Sequence, residues 1–442
     1  MENKYYKRNI DAELLAWSKE NSRKPILLRG ARQVGKSTAV KELAKTFDIY
    51  LEINFEENIE VHKLFNGNLS PSELCENLSI MFNTNIVAGK TLLFFDEIQA
   101  CIPAISSLRF FYEKMPELHI IAAGSLLEFA LNEVPSFGVG RIRSMFMYPF
   151  SFDEFLYAAG EESLLIAKNK ANVENPLSEP IHNKLIKLIK QYLIIGGMPE
   201  VVSKYFANRN MLECQKTLDD IVLSYKTDFA KYKSRVPSLR ILETFESVVQ
   251  QMGGKFVYSK TISQSNHKQI KEAIDLLIMA GLVIPVTHTS ANGIPLGAES
   301  DLKKRKMLIF DTGIFQRILG LNLSEILFEN EFESINKGAI AELFVGLEMI
   351  KSLSCYQQHE LYYWQRETAS SNAEVDYVIQ LKDKVLPVEI KSGKKGSMQS
   401  MYVFMNEKKC EKGIRFSLEN YSTYNNVDVI PLYGVASLVL GK

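Results

Sequence analysis

The feature that most constrains this chain is an apolar run, Ile26-Leu27-Leu28, that feeds into Gly30-Ala31-Arg32-Gln33-Val34-Gly35-Lys36-Ser37 and then into a helical stretch ending near Phe47. A strand, a loop with glycines at its first and sixth positions, and a helix opening on Lys-Ser together leave few folds open. The glycines let backbone N–H groups turn inward around an anion, and the start of the helix adds its positive dipole end. Lys36 adds a point charge suited to the β- and γ-phosphates, and Ser37 adds a hydroxyl suited to magnesium. We therefore expect Gly30, Ala31, Arg32, Gln33, Val34, Gly35, Lys36, Ser37 and Thr38 to surround the phosphates of ATP.

A second run, Thr91-Leu92-Leu93-Phe94-Phe95-Asp96-Glu97, reads as a buried strand that ends on two acids. Carboxylates beside apolar surface are costly unless they serve a cation or a proton. Asp96 is thus expected to hold Mg2+ through water together with Ser37, and Glu97 to polarise the attacking water. From Pro25 to Phe155 short apolar runs alternate with amphipathic stretches, the mark of a parallel α/β sheet.

These residues resemble the AAA+ superfamily of P-loop ATPases, in particular a bacterial and archaeal branch with a C-terminal domain of unknown function. The resemblance implies further roles. Ser125, in Ala122-Ala123-Gly124-Ser125, matches the polar sensor of the γ-phosphate or water. Arg141, in Gly140-Arg141-Ile142-Arg143, stands where origin-binding relatives carry an arginine finger, which implies a neighbouring copy of the chain; a surface arginine or an internal salt bridge is the other reading. Pro199, in Gly196-Gly197-Met198-Pro199-Glu200, resembles the element that lids place against the nucleotide base, and a plain inter-helix turn is equally open.

Past Phe155 the periodicity changes. We expect an AAA+ core over 1–167, a helical lid over 181–233, a winged-helix domain over 234–306 and a mixed α/β domain over 307–442. The wing is read from helices followed by Gly281-Leu282-Val283-Ile284-Pro285-Val286, with Asn292-Gly293 as a hairpin turn. Ser259-Lys260-Thr261-Ile262-Ser263, the helix with His267-Lys268-Gln269-Ile270-Lys271, and the run Lys303-Lys304-Arg305-Lys306 could meet DNA phosphates, or be solvated surface.

Late in the chain, Glu342, Asp376, Glu389 and Lys391 stand out. Strand alternation puts Glu389 and Lys391 on one face, and Leu381-Lys382-Asp383-Lys384 is a credible turn that brings Asp376 alongside. Two carboxylates and a lysine suit a divalent metal held by Asp376 and Glu389. The order Glu, Asp, Glu-x-Lys resembles the PD-(D/E)XK nuclease-like fold, with Glu342, Asp376, Glu389 and Lys391 as its implied catalytic positions. The proline that usually precedes the Asp is missing, and Pro387 suggests an edge or a bulge. Residues 382 to 412 hold eight lysines against four acids, which favours a phosphate backbone locally, with Lys394-Lys395 closest to the site.

Charge excludes a global field, because basic and acidic residues balance at 52 each. Five scattered cysteines suggest neither a disulfide framework nor a zinc site, and no apolar stretch is long enough to span a bilayer. We expect a cytoplasmic protein without membrane contact. Two functions fit: nucleotide-controlled cleavage by a nuclease-like tail acting on DNA, or a nucleotide-dependent switch whose idle tail binds a protein partner.

Overall fold

The computed structural model describes residues 4–67, 70–133, 140–232, 236–261, 267–323, 337–366, 373–391 and 398–441. They divide into two compact units, one of Met1–Tyr148 with Ser354–Gln358, the other of Pro149–Leu353 with His359–Lys442.

The first unit is built on five strands: β1 (Ile26–Arg29), β2 (Ile49–Asn54), β3 (Thr91–Asp96), β4 (His119–Ala123) and β5 (Arg143–Phe146). Their order is β2-β3-β4-β1-β5, every pair parallel. All residues of β3 and β4 are buried, as in a sheet covered on both faces. Phe55, Phe65, Phe95 and Phe111 pack edge to face on one side of it. The expected α/β core is therefore present, and β4 lies between the loop-bearing β1 and the acid-bearing β3.

The second unit holds an eight-stranded sheet: β6 (Val283–Thr289), β7 (Ser300–Ile309), β8 (Leu361–Gln365), β9 (Glu374–Leu381), β10 (Lys384–Ile390), β11 (Gly413–Ser417), β12 (Ser422–Tyr424) and β13 (Val427–Pro431). The order is β12-β13-β11-β10-β9-β8-β6-β7. Helices Glu179–Ile195, Pro199–Asn208 and Met211–Asp228 follow one another in this unit ahead of the sheet.

Two expectations change here. The β6–β7 hairpin follows helices Ser238–Gln250 and His267–Met279 as a wing would, but β6 also pairs in parallel with β8, so one sheet crosses the expected boundary at 306/307. Asn292-Gly293 is not a tight turn; it sits in a ten-residue connection between β6 and β7, and Ile294 lies outside the strands. Pro387 is neither in an edge strand nor at a bulge. β10 pairs with β9 on one side and β11 on the other, and the β11 ladder begins only at Val388, one residue beyond the proline.

The Gly196-Gly197 pair has a role that its letters did not show. A Cβ on Gly196 would lie 2.2 Å from Asp311 Oδ1, and one on Gly197 would lie 2.3 Å from Phe150 O, so only glycine allows these segments to meet. Gly197 N–H donates to Asp311 Oδ2 at 2.7 Å, and Phe150 N–H donates to Gly197 O at 2.7 Å. Pro199 then occupies the first turn of the next helix, where a missing N–H costs nothing. Ser151 and Glu154 cap helix Phe152–Ala158 reciprocally, at 3.2 and 2.7 Å.

The long helix Lys337–Ser352 joins this clasp. Lys351 Nζ donates to Phe150 O (3.0 Å) and to Tyr192 Oη (2.8 Å), while Glu348 accepts from Phe152 N–H (3.0 Å). Burial pushes the Glu348 carboxyl up to about 7, with Lys351 and the Phe152 amide opposing it. In the unfolded chain it titrates near 4.5, so between those pH values the native state holds the extra proton and stability falls as pH rises. Glu342 and Glu389, also raised to about 7, add to the same slope. We predict that Glu348→Gln flattens the decline of denaturant stability between pH 5 and 8 by on the order of 3 kcal/mol. Parallel curves for variant and wild type would contradict this.

Candidate functional sites

The loop after β1 is held by backbone geometry. Gly30 (φ 141°) has no room for a side chain, because a Cβ would lie 2.1 Å from Met147 O. Gln33 (φ 62°) and Gly35 (φ 94°) take left-handed backbone, which curls the loop before helix Lys36–Ala44. Just before helix Asn9–Ser18 lies a support that the sequence reading missed: buried Arg8 donates to Val34 O (2.9 Å) and Tyr148 O (2.7 Å). Nothing in its local sequence points to those carbonyls.

Lys36 is buried, and its ammonium donates to Gly30 O (2.9 Å) and Ala31 O (2.8 Å). Burial lowers its pKa to about 8, against the pull of Glu97 and Asp96. Ser37 Oγ donates to Asp96 Oδ2 at 2.9 Å. Burial raises the Asp96 carboxyl, a cost that a cation would offset. A hydroxyl and a carboxylate already touching at a helix start fit Mg2+. Thr38 is exposed one position further on.

Glu97 follows β3 in a left-handed conformation, φ 48°. Its Oε2 accepts from Ser125 N–H and Ser125 Oγ, both at 3.2 Å, and from Gln99 Nε2 at 2.6 Å. Ser125, expected as the sensor, follows the central β4 and is thereby held against Glu97. Gln99 was not singled out from sequence, although its place two residues after Glu97 was the available signal. Arg141 forms an ion pair with Glu113, the internal salt bridge that the sequence reading left open, and keeps about half its side chain exposed.

In the second unit, the β9–β10 register pairs Tyr377 with Val388. The next step sets Asp376 opposite Glu389, on the same face. Ile390 N–H donates to Asp376 Oδ2 at 2.7 Å, and Lys391 Nζ meets Glu389 Oε1 at 2.5 Å. Glu342 enters from helix Lys337–Ser352. The residue the sequence reading misplaced is Lys306. Offered there as a DNA contact, it is 1% exposed, and its ammonium pairs with Glu342 (3.0 Å) and Glu374 (2.6 Å). Burial opposes its charge, but Glu342, Glu374 and Asp376 outweigh burial and raise its pKa.

Burial also pushes the Glu342 and Glu389 carboxyls up to about 7, with Lys306 countering it at Glu342 and Lys391 at Glu389. Glu389 Oε2 is buried without a hydrogen-bond partner. That orphaned oxygen beside Asp376 fits a hard divalent cation that also takes waters. Among the described residues no three His, Cys, Asp or Glu side chains form a ready metal cage. Lys394-Lys395 lies outside the described residues. Of the other basic residues, His267, Lys268 and Lys303 are exposed, and Lys304 pairs with Asp301 at 3.7 Å.

Comparison with known proteins matches residues 22–156 to a family described as AAA domain. Residues 186–325 and 337–435 match two families described as domains of unknown function, DUF8612 and DUF4143. No curated protein matches. Among solved structures, a Walker-type ATPase of Pyrococcus abyssi is 14% identical, covering 71% of this chain and 96% of that one at a TM-score of 0.46. The Aeropyrum pernix ORC1 protein in complex with DNA is 11% identical over 74% and 95% (TM-score 0.25), and C. elegans PCH-2 is 14% identical over 62% and 65% (TM-score 0.21). All three scores are below 0.5, too low to carry a fold assignment. The family match and the loop geometry give residues 22–156 as an AAA domain of the P-loop ATPase type. No described helix is long and apolar enough to cross a membrane.

Glu97→Gln should retain ATP binding, because the amide keeps the shape, yet hydrolyse roughly 100-fold more slowly or worse, because the charge on the water is lost. Steady-state phosphate release with nucleotide binding measured in parallel checks this. Wild-type turnover would move the role to another residue.

Proposed function

We propose that ATP binding and hydrolysis in the first unit control a metal-dependent phosphodiesterase in the tail, acting on DNA. In the ATP site, Lys36 and the loop amides bind the phosphates, Ser37 and Asp96 hold Mg2+, and Glu97 accepts the proton of the attacking water. Mg2+ there supplies charge that offsets the phosphate oxygens. Arg141 is the arginine this reading offers to the phosphates of a neighbouring copy, on leaving Glu113.

The observation that carries the tail assignment is the meeting of Asp376, Glu389, Lys391 and Glu342, from two strands and a helix, with the Glu389 oxygen left unpartnered. Asp376 and Glu389 would hold the cation, and Lys391 would face the charge that develops on phosphate. A second reading is favoured by one fact: the cluster already contains two ammonium groups, Lys306 and Lys391. In that reading the tail is chemically idle, and the protein is a nucleotide-dependent switch that binds a protein partner.

The test is cleavage of labelled single- and double-stranded DNA and RNA by the full chain with Mg2+ or Mn2+. Glu389→Ala and Lys391→Ala should each lower cleavage by about 100-fold while ATP hydrolysis persists. Absence of metal-dependent cleavage on every substrate, in protein that hydrolyses ATP, would leave the switch as the better reading.

A further inference from the structure

Strand β7 delivers one side chain into the tail cluster, although it belongs to the segment read from sequence as a wing. Lys306 is buried, its ammonium lies 5.2 Å from the centre of the Tyr363 ring, and it pairs with both Glu342 Oε1 and Glu374 Oε1. Those two carboxylates are the ones that a second divalent cation would need in order to share the site with a first on Asp376 and Glu389. Buried among acids and against an aromatic face, the ammonium loses several favourable partners if it leaves.

From this geometry we propose that the tail site takes one divalent cation, not two, and that Lys306 stands where the second would bind. The proposal rests on the metal-dependent reading of the tail given above. Charge balance points the same way. When ionised, the four carboxylates of Glu342, Glu374, Asp376 and Glu389 face the two ammonium groups of Lys306 and Lys391, which leaves two negative charges, the complement of a single divalent ion. A free ligand oxygen is at hand: Glu389 is 6% exposed, its Oε2 has no hydrogen-bond partner, and the β9–β10 register sets it opposite Asp376. Lys306 is thus a positioning residue. It holds Glu342 and Glu374 out of the metal's ligand set, and it makes the tail site depend on a side chain from outside residues 307–442.

Bound Mn2+ can be counted by electron paramagnetic resonance during titration of the full chain without nucleotide, so that the ATP site contributes no phosphate-bound ion. Wild type should bind one Mn2+ per chain, lost in the double variant Asp376→Asn/Glu389→Gln. Lys306→Met should bind two, as Glu342 and Glu374 become available. Should Lys306→Met not fold, Lys306→Gln decides the matter: its amide can still meet Glu342 and Glu374 but carries no charge, and it too should bind two Mn2+. Two ions in wild type, or one in whichever Lys306 variant folds, would each overturn the role of Lys306 and leave the metal-dependent tail standing. No Mn2+ bound to wild type would instead remove the metal-dependent reading itself, and this proposal with it.

Discussion

Parallel pairing of β3, β4 and β1 is the constraint on which the first unit depends. Parallel strands end on one edge of a sheet, so the loop after β1, the acids at the end of β3 and the serine after β4 emerge together. Because β4 is the middle strand, Ser125 reaches Glu97 with two hydrogen bonds, while Ser37 at the start of the next helix reaches Asp96. Backbone constraints then hold the loop: Gly30 against Met147, and Arg8 on Val34.

The tail follows a different logic. Its acids come from a helix and two antiparallel strands, and register alone decides whether they share a face. The β9–β10 pairing settles that for Asp376 and Glu389. Burial makes their charges costly, and the unit answers with two ammonium groups, Lys306 from β7 and Lys391 from just past the end of β10. The same helix that carries Glu342 carries Glu348 and Lys351, whose contacts with Phe150, Phe152 and Tyr192 tie it to the segment that directly follows Tyr148 in the chain.

Much of the candidate ATP site's geometry was legible because its contacts are local or strand-terminal: Gly30, Gly35, Lys36, Ser37, Asp96 and Glu97 are set by a strand, a loop and a helix start. The β9–β10 hairpin was legible for the same reason. Lys306 was not, since in sequence it is the last of four basic residues, and its partners Glu342 and Glu374 are 36 and 68 positions away. The alternation of β7 hides one lysine of that run while leaving Lys303 exposed. The Gly196-Gly197 pair read from sequence as a base contact or a plain inter-helix turn, and its close packing on Phe150 and Asp311 needed the fold to be seen. The wing was half legible, as a hairpin whose further pairing to β8 depends on residues some 75 positions later.

Lys36 is the chief side-chain charge that the loop at Gly30–Ser37 would offer to ATP, and isothermal titration of the full chain with a non-hydrolysable ATP analogue and Mg2+, with Lys36→Ala beside wild type, measures what that charge contributes. Binding should be saturable in wild type and weaken by at least about 100-fold in the variant, since a buried charge-assisted contact to phosphate is worth roughly 3 kcal/mol. Equal affinity in both proteins, with the variant folded, would contradict it.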